Sequence, residues 1–310
     1  MRQLALACFY SMTCLLLQGL NGSRVTADEK GKVDRTRFYM AAPVGGNAKL
    51  FLVPADYHNV GSPTFSSDGQ KLAFDGWKSQ NGESFSDVQI LVANADGSDL
   101  KVIGPGAMPS WSPGGKRIAF SQPSPQGVVI MNADGSLHKM IAEGGWGAQW
   151  SPDGRKIAYS INDAGKANIQ IYDLIEETNR KVFSDGECPY ASLYWNMKWS
   201  PDSNWLCFKG LKASDGSHDV ATVNVAGKQE GFKVHYNSKT APPFADFAWH
   251  PQGEAIIFGA AAKPPTLFKF NPAEDKAPEP VTTKVKGNVN GGVCFTPDGQ
   301  HLLFTVRGEE

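Results

Sequence analysis

Short apolar runs recur along this chain, each set off by a turn and led by an aromatic residue. Six of them are Leu72-Ala-Phe74, Ile118-Ala-Phe120, Ile157-Ala-Tyr159, Leu206-Cys-Phe208, Ile256-Ile-Phe258 and Leu302-Leu-Phe304. The same phrase precedes them: Phe65-Ser-Ser-Asp-Gly, Trp111-Ser-Pro-Gly-Gly, Trp150-Ser-Pro-Asp-Gly, Trp199-Ser-Pro-Asp-Ser, Trp249-His-Pro-Gln-Gly and Phe295-Thr-Pro-Asp-Gly. Proline pre-sets φ at the first corner, aspartate accepts local backbone N–H groups, and glycine takes the left-handed position. Each phrase is therefore a tight hairpin between two strands. The aromatic positions lie 46, 39, 49, 50 and 46 residues apart. A period near 46 residues made of short strands predicts propeller blades.

A second hairpin follows in each repeat. Ile90-Leu-Val-Ala-Asn-Ala-Asp-Gly-Ser98 and Val129-Ile-Met-Asn-Ala-Asp-Gly-Ser136 are near copies. Ile169–Leu174, Val220–Val225 and Leu267–Asn271 are looser versions. Two hairpins make one four-stranded antiparallel blade. The ends then complete each other. Phe38 to Lys49 reads as a second hairpin with no first one before it, since Phe38 aligns with Ile90 and Gly45 with Gly97 at one offset of 52. Phe295 to Val306 is a first hairpin with no second one after it. Their pairing predicts a sixth blade built from both termini, which removes an open sheet edge. The expected fold is all-β, a six-bladed β-propeller over residues 37–310.

The composition is that of an ordinary globular chain, 41% hydrophobic and 20% charged, with formal net charge −1 over 310 residues. Near-zero charge gives no electrostatic case for nucleic acid. Residues 1–27 read as a signal peptide: Arg2, then a mostly apolar Leu4 to Leu20, then small residues at Val25-Thr-Ala27. Cleavage is expected before Asp28, with 28–36 a short linker, no membrane span afterwards and a periplasmic or secreted location. An uncleaved anchor is the alternative, because the apolar run approaches spanning length. Cys8 and Cys14 lie inside that run. Cys188, Cys207 and Cys294 remain, an odd number, so at least one free thiol is expected, and a Cys188–Cys207 disulfide is left open.

The repeat Trp-Ser-Pro-Asp-Gly-(Lys/Arg)-x-Ile-Ala-(Phe/Tyr), followed by Ile-x-(Val/Tyr)-x-(Asn/Asp)-x-x-Gly, resembles that of the six-bladed TolB-like propellers, over residues 37 to 310. Ser67, Gly114, His250, Gln252 and Ser203 depart from it at single turn positions. TolB itself carries an N-terminal α/β domain for which this chain leaves no room, and that argues against a full TolB role in the envelope Tol–Pal system. Other relatives carry a C-terminal peptidase domain, but this chain has no Gly-x-Ser-x-Gly nucleophile elbow.

The Ser-Pro-Asp-Gly and Ala-Asp-Gly-Ser turns fall on one face of such a ring. The connections on the other face vary in length, and variable loops on a rigid frame are where binding resides. They hold the candidate site: Asp75, Trp77, Trp146, Tyr190, Tyr194, Trp195, Asn196, Asp246 and Asn290, with Phe85, Glu83 and Phe244 nearby. Exposed aromatic anchors with a polar rim suit a protein interface. Trp77 is expected to stand in solvent. The repeat tryptophans Trp111, Trp150, Trp199 and Trp249 are expected in the core. The six histidines show no metal-ligand spacing, and no cofactor motif or nucleophile–base pair is seen. The expected function is non-catalytic protein binding in the cell envelope by a monomer. The alternative is a carbohydrate-active lyase or glycan-binding propeller using the channel mouth.

Overall fold

The computed structural model describes residues 34–79, 85–163, 166–225 and 231–308. The expected signal peptide and most of the expected linker lie outside them, as does Glu83.

The described chain is strand and turn apart from short 3-10 turns, among them Phe85–Asp87. Blade one consists of Asn59–Phe65, Lys71–Trp77, Gln89–Asn94 and Lys101–Pro105. Blade two is Ala107–Trp111, Arg117–Pro123, Gln126–Asn132 and Lys139–Glu143; blade three is Trp146–Trp150, Lys156–Asp163, Lys166–Asp173 and Thr178–Lys181. In blade four the inner strand is split into Tyr190–Leu193 and Lys198–Trp199, before Trp205–Lys212, His218–Asn224 and Phe232–Ser238. Blade five is Pro243–Trp249, Ile256–Ala260, Thr266–Phe270 and Glu279–Val281. Blade six joins Asn288–Phe295 and Leu302–Gly308 to Arg35–Ala41 and Lys49–Leu52. The expected closure is present: Arg35 pairs with Gly308 and Ala41 with Leu302, in antiparallel register without a break. Each inner strand touches the next, and that of blade six returns to that of blade one. The fold is a closed six-bladed propeller.

The repeated phrase has a local cause. In blade three the Ser151 hydroxyl donates to Asp153 (2.6 Å) and accepts from the Lys156 amide (2.9 Å), while Asp153 also accepts from the Arg155 amide (3.0 Å). Thr296, Asp298 and His301 repeat this closely in blade six. Serine and aspartate thus satisfy turn groups that the ladder leaves unpaired.

The second strand of each blade carries the core. Phe74, Phe120, Phe208, Phe258 and Phe304 are all fully buried. Trp111, Trp150, Trp199 and Trp249 are buried between blades, as expected. Two of them donate an indole N–H to the preceding blade, Trp111 to the Thr64 carbonyl (3.2 Å) and Trp199 to that of Gln149 (2.9 Å). Cys188, Cys207 and Cys294 are free thiols, so Cys188 and Cys207 are not paired.

Candidate functional site

A regular antiparallel ladder would make the channel wall six-fold uniform. Bulges in the inner strands break that uniformity. In blades one to three the inner strand carries one extra residue: Ser62 and Pro63 oppose a single residue, and the same holds for Met108 and Pro109 and for Gly147 and Ala148. In blades four to six there are two extra residues, within 194–197, 244–246 and 290–292. A bulge re-aims side chains and ends pairing. Here the bulges hold Trp195, Asn196, Asp246 and Asn290. Several bulge residues hold left-handed backbone, including Ser62 (φ 47), Met108 (φ 58) and Asn196 (φ 61). Such conformations are uncommon in residues with side chains and need surrounding contacts to hold them.

The contacts are polar and run between blades. Asn196 donates its amide N–H groups to the Ser62 hydroxyl (3.0 Å), on the far side of the ring, and to the Asp246 carboxylate. Ser62, Asn196 and Asp246 line a cavity of about 20 Å³ together with Thr64, Gln149 and Lys198 among others, room for about one water. Asn196 is 7% exposed, and its amide oxygen has no hydrogen-bond partner. Asp246 is half-buried. Burial first, then the Asp75 charge, raises its pKa to about 7, against opposing effects of Asn196 and Lys198. Lys198 is lowered by the same burial. The sign for stability follows from that raised value. Asp246 binds its proton more tightly in the folded state, so its contribution is fully present below 3.8 and is lost as pH rises toward about 7.

Asp75 has a different role from the one expected. It is fully buried in the seam between blades one and two, where its Oδ2 accepts the bulge N–H of Met108 (2.8 Å). Burial outweighs that hydrogen bond and raises its pKa to about 6. Ser121, at the same position of blade two, accepts the bulge N–H of Gly147 (2.7 Å). These side chains pass a hydrogen bond from one blade to the next and are not on a surface.

Tyr190 is also withdrawn from the surface. It is 4% exposed, lies against Gly210, and donates its hydroxyl to buried Asp219 (2.9 Å). Tyr194 is buried beneath the mouth, its hydroxyl 3.2 Å from His218 Nε2 and its ring 3.9 Å from the Lys209 ammonium. Burial lowers Lys209 to about 7 and His218 to about 4. Asn290 is exposed and donates to Thr36 (3.4 Å).

Trp77 is not in solvent. It meets Phe85 edge-on (6.1 Å between ring centres), Phe85 meets Trp146 likewise (5.2 Å), and with Trp195 they cover Val88, Ala107 and Met108. The Trp77 indole N–H is buried and has no partner. We therefore expect Trp77→Ala to destabilise by about 1–3 kcal/mol, from a half-buried aromatic contact. Chemical denaturation measures it, and a loss too small to detect would return Trp77 to solvent.

The site thus collects Trp77, Trp146, Trp195, Asn196, Asp246 and Asn290 about one mouth, and sets Asp75, Tyr190 and Tyr194 beneath it. Ser62, Lys198 and Met108 belong to it as well. The signal for Ser62 and Met108 in the sequence was position: Ser62, Met108, Asn196 and Asp246 each stand three residues before the repeat aromatic.

No protein-family model matches the chain. A stretch of 57 residues is 35% identical to a diaminopimelate epimerase of Methanothrix thermoacetophila, covering 18% of this chain and only 20% of that one. Solved structures match far more of it. A protein described as a TolB from Agrobacterium tumefaciens superposes with TM-score 0.69, covering 89% of this chain and 99% of the other at 14% identity. TolB from Acinetobacter baumannii gives 0.58, covering 94% and 67% at 15% identity. A chain of a nidogen/laminin complex gives 0.59, covering 87% and 98% at 14%. The protein has a TolB-like six-bladed propeller fold. The tricorn protease also shares it, at TM-score 0.55 over 24% of its length, so the fold serves enzymes as well.

Proposed function

We propose that this protein is a binding module that docks a protein partner on the variable-loop face, over the channel mouth. The observation that carries this reading is the asymmetry of the mouth. Half-buried Trp77, Trp146 and Trp195 lie toward blades one to four, and the polar double bulges with Asn196, Asp246 and exposed Asn290 lie toward blades four to six. An apolar aromatic centre beside a polar rim is the composition of a protein interface. Among the described residues no three His, Cys, Asp or Glu side chains converge as a metal site. We place the protein in the cell envelope on the reading of residues 1–27. Among the described residues no helix is long and apolar enough to cross a membrane.

The test is comparative capture from envelope extract with cross-linking at the bait. Wild type and Asp153→Lys/Asp298→Lys, changed on the turn face, should retain the same partner. Trp146→Ala/Trp195→Ala should bind it about thirtyfold more weakly, the loss of roughly 2 kcal/mol typical of an aromatic anchor. Loss of capture in the turn-face variant, with full capture in the mouth variant, would move the site to the other face. Polysaccharide turnover by the purified protein would replace binding with the lyase reading.

A further inference from the structure

Blade four holds a buried cation for which the described residues supply no anion. Lys209 follows the strand aromatic Phe208, the place that Asp75 takes in blade one and Ser121 in blade two. Those two accept the bulge N–H of the next blade. Lys209 is only 8% exposed, and among the described residues its ammonium has neither a hydrogen bond nor an ion pair, only the Tyr194 ring at 3.9 Å. The imidazole on the other side of Tyr194 also lacks a partner. His218 is 7% exposed, its Nε2 lies 3.2 Å from the Tyr194 hydroxyl, and its Nδ1 is buried with no hydrogen bond. The Tyr194 hydroxyl has no other acceptor among the described residues, so the network assigns its proton to Nε2 and leaves the neutral ring protonated at Nδ1. Neighbouring Asp219 is already engaged, accepting from Tyr190 (2.9 Å) and Asn237 (2.6 Å) and pairing with Lys212 (3.1 Å). Lys209 and Lys212 against Asp219 leave one positive charge over. Buried donors and charges without partners are costly and rare.

We propose that Lys209 and His218, set on either side of Tyr194, form a binding site for a carboxylate. Two donors in want of an acceptor and one positive charge in want of a negative one are what a single carboxylate supplies. Its oxygens accept from the Lys209 ammonium and the His218 Nδ1–H, the first a charge-assisted bond and so the stronger of the two. A doubly charged phosphate would leave the cluster negative instead of neutral. The site adjoins the mouth. Tyr194 opens the double bulge of blade four, its amide bonds to the Lys209 carbonyl (3.1 Å), and its ring lies 5.6 Å from that of Trp195. Residues 195–197 make no ladder pairing, so the bulge can shift to admit a ligand without breaking a strand. The carboxylate belongs either to a small free acid or to an acidic side chain of a docked chain. The site stands without the partner-docking reading above, because either source satisfies it.

The experiment is a nitrogen-detected NMR titration of the full chain with sodium acetate at pH 6, below the value of about 7 at which the Lys209 amine loses its charge. One lysine Nζ signal and one histidine Nδ1 signal should move together and saturate. Lys209→Met should weaken acetate about tenfold or more, read from the His218 signal, as loss of a charge-assisted hydrogen bond predicts. Tyr194→Phe keeps the ring but no longer orients the imidazole. It should weaken acetate severalfold, and it keeps the test open if Lys209→Met fails to fold. Glutamate blocked at both its amino and its α-carboxyl group separates the sources: saturation by acetate alone assigns a small free acid, and saturation by both assigns an acidic side chain. Sodium chloride at the same ionic strength should leave both signals in place. Equal shifts with chloride, acetate binding unchanged in Lys209→Met, or no saturable shift in the wild type would overturn the site.

Discussion

A chain lacking residues 296–310 should lose cooperative unfolding of the whole ring. The strand Leu302–Gly308 is the centre of blade six, bonded on one side to Asn288–Phe295 and on the other to Arg35–Ala41. Leu302, Leu303, Phe304 and Val306 on it are essentially fully buried. At about 1.5–3 kcal/mol for each such side chain, their loss removes roughly 6–12 kcal/mol. That is comparable with the whole stability of a domain, about 5–15 kcal/mol. The N-terminal strand would lose its partner with it. Calorimetry decides the matter: a truncated protein that melts as sharply and as hot as the parent would contradict the closure.

The next largest effect is expected at a blade seam. Trp150 is 7% exposed and packs against Ala119, Val128 and Ile130 of blade two as well as Ile157 and Tyr159 of its own blade. Its indole N–H donates to the Gly154 carbonyl (3.3 Å), and the Arg117 guanidinium lies over the ring (5.6 Å). Trp150→Ala should cost about 3–5 kcal/mol, from lost transfer energy and the cavity left between two blades. Trp150→Phe should recover a large part of this, since an aromatic ring would still fill the seam. Denaturant midpoints measured for both variants give the comparison. If Trp150→Ala and Trp77→Ala lose the same amount, the seam has no special place in the stability of the ring.

The blades were legible because their signal is chemical and repeated. Serine, aspartate and glycine in Trp150-Ser-Pro-Asp-Gly each satisfy one backbone need of the turn, so the phrase survives wherever the turn does. The sixth blade was legible because each end held the half the other lacked. The bulges were not. They interrupt the alternation of inward and outward residues without a motif of their own, so 194–197 and 244–246 read as parts of loops. Asp75 read as a rim carboxylate for a related reason. Whether an acid at a strand end meets water or the amide of the next blade depends on how the blades pack, and no local pattern encodes that. Tyr190 likewise needed Gly210 and Asp219, both at least 20 residues away in the chain, to be recognised as core. Three of the aromatics at the mouth were found because variable connections concentrate them, but their mutual packing was not visible.

The pairing of Arg35 with Gly308 has a practical consequence for anyone handling this protein. Both described ends leave the ring side by side, and Thr36 bonds from there to His58 and Asn290 on the variable-loop face. An affinity tag or biosensor tether attached at either end therefore hangs beside the mouth, and a chip coated through it presents the opposite face to solution. A cysteine introduced at exposed Asp134, in a turn on that opposite face, would immobilise the molecule the other way up and leave the mouth free.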